Sequence, residues 1–221
     1  MTWRSLANRL LSSLFEPPCA SCKSVLPHPL DGAVCDTCWA CVRTTPGLHE
    51  RFASDHAVDC AAAIGDYEGS LRDIIHALKY EGRRSIAPPL GALMRTAGAD
   101  LLRGADVVVP VPLHPRRERS RGFNQADDLA RALGLPVRPL LRRIRYTTSQ
   151  IELPKDERQR NVHDAFALSD KPEGLSPQVV VLVDDVSTTG ATLEACASVL
   201  KAAGAQEVRA LTAARVASAR R

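Results

Sequence analysis

Short apolar runs that end in polar residues recur along the chain and predict the strands of a buried sheet. Val179 to Val183 is a run of five apolar residues, β-branched but for one, with polar neighbours on both sides. Such a run is typical of a strand buried on both faces of a parallel sheet. Asp106 to Val111 has the same character, and Ala61 to Tyr67 and Glu207 to Ala213 are further candidates.

Helical patterns lie between these strands. Ser70 to Tyr80 carries one apolar stripe, formed by Leu71, Ile74, Ile75 and Leu78. Further helices are predicted within Arg84 to Arg103, starting near Pro88, from Gln125 to about Gly134, and over Ala191 to Ala203. The predicted fold is therefore an α/β domain with a mainly parallel sheet and flanking helices, covering residues 60–221.

The N-terminal segment differs from this domain. Its apolar residues follow a helical period without a continuous apolar core or a small-residue cleavage site, which predicts an amphipathic helix over residues 1–18 rather than a signal peptide. A peripheral membrane contact is the alternative. No apolar stretch reaches the roughly 18 residues needed to cross a bilayer, so the chain is expected to be cytoplasmic.

Cysteines define a third region, residues 19–59, as a zinc knuckle and linker. Cys19 and Cys22 form one Cys-x-x-Cys pair, and Cys35 and Cys38 form a second. Twelve residues separate Cys22 from Cys35. This pattern predicts one tetrahedral Zn²⁺ site, which is structural because four sulfur ligands leave no open position. Cys41 is an alternative to Cys38, but the matching two-residue spacing favours Cys38.

Acidic and small polar residues follow the strongest strand. Asp184 and Asp185 come directly after this strand. A short polar turn follows, which consists of Ser187, Thr188, Thr189 and Gly190. Ala191 and Thr192 then open a helix. Such a turn directs backbone N–H groups and the positive end of the helix dipole at one spot, which favours phosphate. Because carboxylates repel phosphate, the acids are expected to bind ribose hydroxyls. The alternative is that they only cap the helix.

Arginine dominates the positive charge, with 24 of the 29 cations and a net charge of +4. One cluster follows the proline-rich strand end at Val111 and Pro112, where ligands bind in open α/β sheets; it contains Arg116, Arg117, Arg119 and Arg121. We expect it to bind phosphate or pyrophosphate, the alternative being a solvated surface. A second cluster, Arg142, Arg143 and Arg145, lies in a segment expected to form a hood or flap. The aromatic content of 4% argues against nucleic-acid binding by successive base stacking.

The strand, the acid pair and the Thr-Gly-x-Thr turn resemble the type I phosphoribosyltransferases, which bind phosphoribosyl pyrophosphate (PRPP). The run Val109 to Pro115, followed by Arg121 to Gln125, is similar to the narrower ComF/GntX group. Further positions match that group's pattern, namely Thr147, Gln150, Leu153, Arg158, Asn161 and Ala165-Phe166. The resemblance covers nearly the whole chain, including the cysteine region.

The resemblance implies Mg²⁺ bound with PRPP as the ligand. Asp184 and Asp185 would accept hydrogen bonds from the ribose hydroxyls, Ser187 to Thr192 would hold the 5′-phosphate, and pyrophosphate would lie against the proline loop, formed by Val111 and Pro112 with Arg117, Arg119 and Arg121. The ComF group also implies a link to natural competence, with single-stranded DNA and competence or recombination proteins as partners. Arg142, Arg143 and Arg145 are the candidate nucleic-acid residues.

Three functions stay open on these grounds. The protein is an active phosphoribosyltransferase with an unknown acceptor, a non-catalytic PRPP sensor, or a zinc-containing accessory protein that binds nucleic acid. The arginine clusters do not separate them, because a pyrophosphate site and a DNA-binding surface require the same residue type.

Overall fold

A computed structural model describes residues 3, 17–28, 30–42, 44, 49–51, 56–145, 164–169 and 178–217. The predicted N-terminal helix, residues 1–18, lies outside these residues except for Trp3, Pro17 and Pro18, and the last two are not helical. The matches between residues 147 and 161 also lie outside them.

The described strands form one larger sheet and one two-stranded antiparallel sheet, which is called the β4–β5 hairpin below. Their bounds are β1 His49–Arg51, β2 Cys60–Asp66, β3 Val107–Pro110, β4 Leu141–Arg143, β5 Phe166–Leu168, β6 Val179–Ser187 and β7 Glu207–Arg215. The larger sheet has the order β1-β2-β7-β6-β3, in which β1 is antiparallel to β2 and the other neighbours are parallel. Strands β4 and β5 pair with each other, antiparallel. The predicted α/β fold with a mainly parallel sheet is confirmed.

Helices connect these strands. Their bounds are α1 Asp36–Ala40, α2 Gly69–Tyr80, α3 Ala87–Ala97, α4 Ala99–Leu102, α5 Pro115–Arg121, α6 Gln125–Arg131 and α7 Ala191–Ala202, with a 3₁₀ turn over Arg84–Ile86 before α3. One feature differs from expectation, since the segment expected to be a linker contains β1. The arginine-rich segment after β3, for which no helix was predicted, forms α5.

Helix α5 has no buried residue, so the residues at its two ends, rather than packing, favour the helical conformation. Pro115 occupies the first turn, where a missing N–H costs nothing. His114 precedes it, and its Nδ1 accepts a hydrogen bond from Arg116 N at 3.2 Å. Gly122 ends the helix with φ of 82°, a left-handed conformation that glycine adopts without strain.

Alternate residues of β6 enter two different parts of the core. Val181 and Val183 pack on the side that holds α2 and α3, whereas Val180 and Leu182 pack on the side that holds α7 and the β4–β5 hairpin. All four are fully buried. The buried run in the sequence therefore corresponds to a central strand covered on both faces, and the residues that follow it emerge at its carboxyl end.

The cysteine-containing segment, residues 17–42 and called the knuckle below, packs against α2. Leu26 of the knuckle belongs to the same buried cluster as Ile75 of α2. Ser21 Oγ donates to Asp73 Oδ2 at 3.1 Å, and the Arg83 guanidinium donates to Pro18 O at 2.6 Å. The knuckle is thus attached to the helix that crosses towards the end of β6.

No helix in the part of the chain that the structure describes combines the length and the apolar character needed to cross a membrane.

Candidate functional site

The two acids at the end of β6 differ in exposure. Asp185 is buried, whereas Asp184 is partly exposed. Asp184 Oδ1 accepts a hydrogen bond from Asp185 N at 2.8 Å, and Asp185 Oδ1 accepts one from Val186 N at 2.7 Å. Both carboxylates therefore engage their own strand rather than the N-terminus of α7.

Lys79, in the last turn of α2, pairs with one of these acids. Its Nζ lies 2.9 Å from Asp185 Oδ1, and the side chains are 17% and 3% exposed. Burial alone would lower the pKa of Lys79, but the charges of Asp185 and Asp184 outweigh burial and raise the pKa above its ordinary value.

Asp184 has a perturbed carboxyl group. Burial, followed by the neighbouring charge of Asp185, raises the pKa of Asp184 to about 8, and Lys79 only partly offsets this. A carboxyl group with a raised pKa in a polar cluster is typical of binding and catalytic sites. A cation brought by a ligand would ionise this group.

The turn between β6 and α7 leaves its threonines accessible to solvent. Thr188 and Thr189 are exposed, and Gly190 has φ of 76°, a left-handed conformation that favours glycine. Gly190 is the N-cap residue of α7 and brings no side chain to the helix end. The early N–H groups of a helix have no partners within it, so this turn can accept an anion.

The proline loop is fixed beside the acid pair. Val111 N donates to Val183 O at 2.9 Å, which continues the β3–β6 pairing to the residue before Asp184. Asn124 Nδ2 donates to Val111 O at 3.1 Å and ties the loop to the start of α6. Val111 is buried and Pro112 is partly buried.

The arginines of α5 differ in exposure. Arg117 and Arg121 are partly buried, and Arg119 is exposed. The Arg121 guanidinium lies 5.4 Å from the centroid of the Tyr80 ring, a cation–π arrangement, and it also bonds to Gln125. Helix α5 and the end of α2 therefore meet beside the acid pair.

The second arginine cluster is divided by the structure. Arg142 and Arg145 are exposed; Arg142 Nε donates to Leu168 O at 3.0 Å, and Arg145 lies 3.7 Å from Asp164. Arg143 instead points inwards, 5.2 Å from the centroid of the Phe166 ring. The three arginines do not form one surface, and the nucleic-acid assignment stays a prediction that fits only Arg142 and Arg145.

Arg143 lies within electrostatic range of the acid pair. Burial and the nearby charge of Arg117 lower the pKa of Arg143, whereas Cys196 and Asp184 act in the opposite direction. The pKa of His114 is lowered by burial, by Arg116 and then by Arg143. Arg143 therefore interacts electrostatically both with Asp184 and with Arg117 of α5.

Lys79 was not identified from the sequence, and Arg143 was assigned to nucleic acid rather than to this site, although periodic signals for both positions exist. Lys79 follows Leu71 and Ile75 at intervals of four residues, so it continues the buried stripe of α2. Arg143 is two residues after the buried Leu141 and shares its side of β4, whereas Arg142 alternates to the outside. A charged residue on a buried stripe indicates a specific partner.

The knuckle brings four thiols together, those of Cys19, Cys22, Cys35 and Cys38. Their sulfur atoms all lie within 4.8 Å of one another, and Cys22 and Cys35 are 3.8 Å apart. Tetrahedral zinc with Zn–S bonds of about 2.3 Å places its sulfurs about 3.8 Å apart. Cys41 is exposed and lies outside this group. The donor set fits zinc, with Cys38 rather than Cys41 as its fourth member.

Comparison with known proteins agrees with this architecture. A family model described as phosphoribosyl transferase domain matches residues 103–221. The chain is 28% identical to competence protein F of Haemophilus influenzae, over 90% of this chain and 97% of that protein. It is 36% identical to the DNA utilization protein YhgH of Salmonella typhimurium, over 66% and 68% respectively. It is also 28% identical to competence protein ComFC of Bacillus subtilis, over 90% and 83%.

Proposed function

Because the chain belongs to the phosphoribosyl transferase domain family, and within it to the ComF family of competence-linked proteins, we propose that it binds Mg-PRPP at the carboxyl end of β6. The observation that carries the proposal is the placement of an acid pair, an open turn before α7 and converging arginines around one strand end. Each part suits a different part of PRPP, namely the ribose, the 5′-phosphate and the pyrophosphate.

In this proposal the turn from Ser187 to Thr192 holds the 5′-phosphate. Gly190 lets the backbone turn sharply, and the first N–H groups of α7, a helix of 12 residues, supply donors and the positive end of its dipole. Thr188 and Thr189 add hydroxyl donors from an exposed position. Asp184 and Asp185 accept hydrogen bonds from the ribose hydroxyls.

Pyrophosphate then lies between the proline loop and the cations of α5 and the hairpin. Arg117 and Arg143 are the partly buried cations on the Asp184 side, and a partly buried guanidinium binds phosphate more strongly than an exposed one does. Mg²⁺ bound with PRPP would neutralise part of the pyrophosphate charge, and the arginines would neutralise the rest. Arg143 is therefore proposed as a pyrophosphate residue rather than a nucleic-acid residue.

If the protein is an enzyme, it catalyses displacement at the anomeric carbon of PRPP. The bond from C1 of the ribose to pyrophosphate breaks, and a bond to an acceptor atom forms. Stabilisation of the leaving pyrophosphate by arginines is the contribution expected from this chain. If it is a sensor, the same contacts bind PRPP without an acceptor.

One experiment separates these outcomes. Purified protein is titrated with Mg-PRPP by calorimetry, and pyrophosphate release is then measured with a panel of nucleobases. Binding with release that depends on one base supports a transferase, and binding without release supports a sensor. The absence of any binding refutes the proposal.

We further propose that the knuckle binds one structural zinc through Cys19, Cys22, Cys35 and Cys38. The proposal is supported by the mutual distances of the four sulfurs. Since the knuckle packs on α2, the metal is expected to stabilise the attachment of residues 17–42 to the domain.

Binding of single-stranded DNA is the second candidate function. It is favoured by the exposed position of Arg142 and Arg145 on the β4–β5 hairpin and by the names of the relatives, which refer to competence and DNA utilization. The role would be an accessory one in the handling of imported single-stranded DNA, together with competence or recombination proteins.

The DNA proposal is tested with the variant Arg142→Ala/Arg145→Ala. If these residues contact phosphates, affinity for an oligonucleotide falls and the slope of log K against log salt becomes shallower by about 1 to 2. Arg103→Ala is the control, because it removes an exposed arginine that lies before the amino end of β3, whereas the proposed PRPP site is at the carboxyl end of the sheet. An unchanged slope in the double variant would move the DNA-binding surface elsewhere.

A further inference from the structure

Lys79 is a largely buried lysine whose charge the fold neutralises in a specific way. Its position continues the stripe of Leu71 and Ile75, and only 17% of its side chain is exposed. Its Nζ lies 2.9 Å from Asp185 Oδ1. Because a buried ammonium is costly unless it is paired, this ion pair fixes both the end of α2 and the carboxylate of Asp185.

The contacts that orient the Asp185 carboxylate are made at one of its two oxygens, Oδ1. Its Oδ1 accepts from Val186 N and pairs with Lys79, whereas its Oδ2 is buried and has no hydrogen-bond partner among the described residues. A buried carboxylate oxygen in this state is costly, so the orientation of Asp185 depends on the groups at Oδ1. Lys79 is the charged one of those groups.

The turn that carries Lys79 is itself supported from outside the sheet. Arg83, just beyond the helix, donates to Pro18 O of the knuckle at 2.6 Å and pairs with Glu81 at 2.9 Å. Six residues before Lys79 in α2, Asp73 Oδ2 accepts a hydrogen bond from Ser21 Oγ at 3.1 Å. The knuckle therefore holds the end of α2 while Lys79 reaches the acid pair from that end.

We propose that Lys79 is a positioning residue for the acid pair, whose ammonium holds the Asp185 carboxylate in one orientation beside Asp184 so that the pair is preformed for Mg-PRPP. When Asp184 ionises on ligand binding, the two neighbouring carboxylates repel each other, and a fixed cation at Asp185 relieves that repulsion. A preformed site binds more tightly because less ordering is required on binding. The role rests on the proposed function, since it acts on affinity for PRPP.

Five variants test the role. Lys79→Met removes the charge and keeps the length of the side chain, and Lys79→Arg keeps the charge. Asp185→Asn removes the partner's charge, and Lys79→Met/Asp185→Asn removes both charges. Lys201→Met is the matched control, because Lys201 also pairs with an aspartate, Asp59 at 2.8 Å, but at the far end of α7. The melting temperature without ligand and the affinity for Mg-PRPP are measured for each.

Lys79→Met should lower the melting temperature by roughly 10 °C, because it leaves a buried carboxylate unpaired. It should also weaken Mg-PRPP binding by at least about tenfold. Lys79→Arg should recover most of the affinity. The double variant should recover the melting temperature, and its affinity should match that of Asp185→Asn because Lys79 acts only through Asp185. Lys201→Met should leave the affinity unchanged.

Wild-type affinity in folded Lys79→Met would overturn the positioning role. If Lys79→Met fails to fold, the double variant is compared with Asp185→Asn, and a lower affinity in the double variant would overturn the role. If the wild-type protein itself does not bind Mg-PRPP, the proposed function and the positioning role both fail. If the wild-type protein binds Mg-PRPP and Lys79→Met binds it as tightly as Lys201→Met does, the positioning role alone is refuted.

Discussion

Replacement of Asp184 by asparagine should stabilise the ligand-free protein near neutral pH while it weakens Mg-PRPP binding. Burial and Asp185 raise the pKa of Asp184 from 3.8 to about 8 in the folded state. Between these values the folded state holds a proton that the unfolded state has released. The unfolded state is therefore favoured as pH rises, and the wild-type protein loses stability that the asparagine variant keeps.

The size of this effect follows from the linkage between proton binding and folding. One proton contributes about 1.4 kcal/mol per pH unit. From pH 5.5 to 7.5 the stability advantage of Asp184→Asn should grow by about 2 kcal/mol, after a reduction because Asp184 is partly exposed. For a chain of this size that corresponds to roughly 4 to 8 °C in melting temperature. Asparagine keeps the Oδ1 that accepts from Asp185 N.

Thermal melts of both proteins at several pH values measure this difference, and calorimetric titration with Mg-PRPP measures the loss of binding. Asp100→Asn is the control, because Asp100 is 70% exposed and its partner Arg103 is exposed as well. Its melting temperature should stay parallel to that of the wild-type protein. A constant gap between Asp184→Asn and wild type across the pH range would refute the reasoning about Asp184.

Three further outcomes follow from the structure. Purified protein should contain one zinc, which Cys38→Ser loses and Cys41→Ser retains in metal analysis; retention by Cys38→Ser would contradict the proposed ligand set. Arg143→Ala should weaken Mg-PRPP binding by roughly 10- to 100-fold, the value of a charge-assisted hydrogen bond, whereas Arg142→Ala should not, and equal calorimetric effects of the two would argue against an inward role. Gly190→Ala should cost about 1 to 2 kcal/mol in denaturant unfolding, because φ of 76° strains alanine although its Cβ would meet no atom within 4 Å; an unchanged midpoint would argue against that strain.

The sheet could be predicted because its strands carry their own signals. Val179 to Val183 is apolar and β-branched, so burial on both faces was the simplest explanation, and the strand continues through the acids to Ser187. Helix α5 could not be predicted in the same way. Its sequence has no apolar face, and only His114, Pro115 and Gly122 at its ends favour a helix.

The site was predictable where one segment holds all of its parts and not where distant segments meet. Asp184 to Thr192 could be identified from a single stretch of sequence. The contact of Lys79 with Asp185 depends on the order of the strands, which places the end of α2 beside β6. The inward position of Arg143 depends likewise on the packing of the β4–β5 hairpin against the α7 side of the sheet.

The position of β7 between β2 and β6 governs when this domain can assemble during synthesis. Strand β2, near the start of the domain, pairs in parallel with β7, where Ala62 is in register with Leu211. Until β7 has left the ribosome, β2 has no neighbour on that edge, and the apolar residues of β2 and α2 have no sheet to cover them. Pairing between such distant segments slows folding and prolongs the exposure of apolar surface. The knuckle and α2, which are synthesised first and pack on each other, can associate during that delay and shield part of this surface.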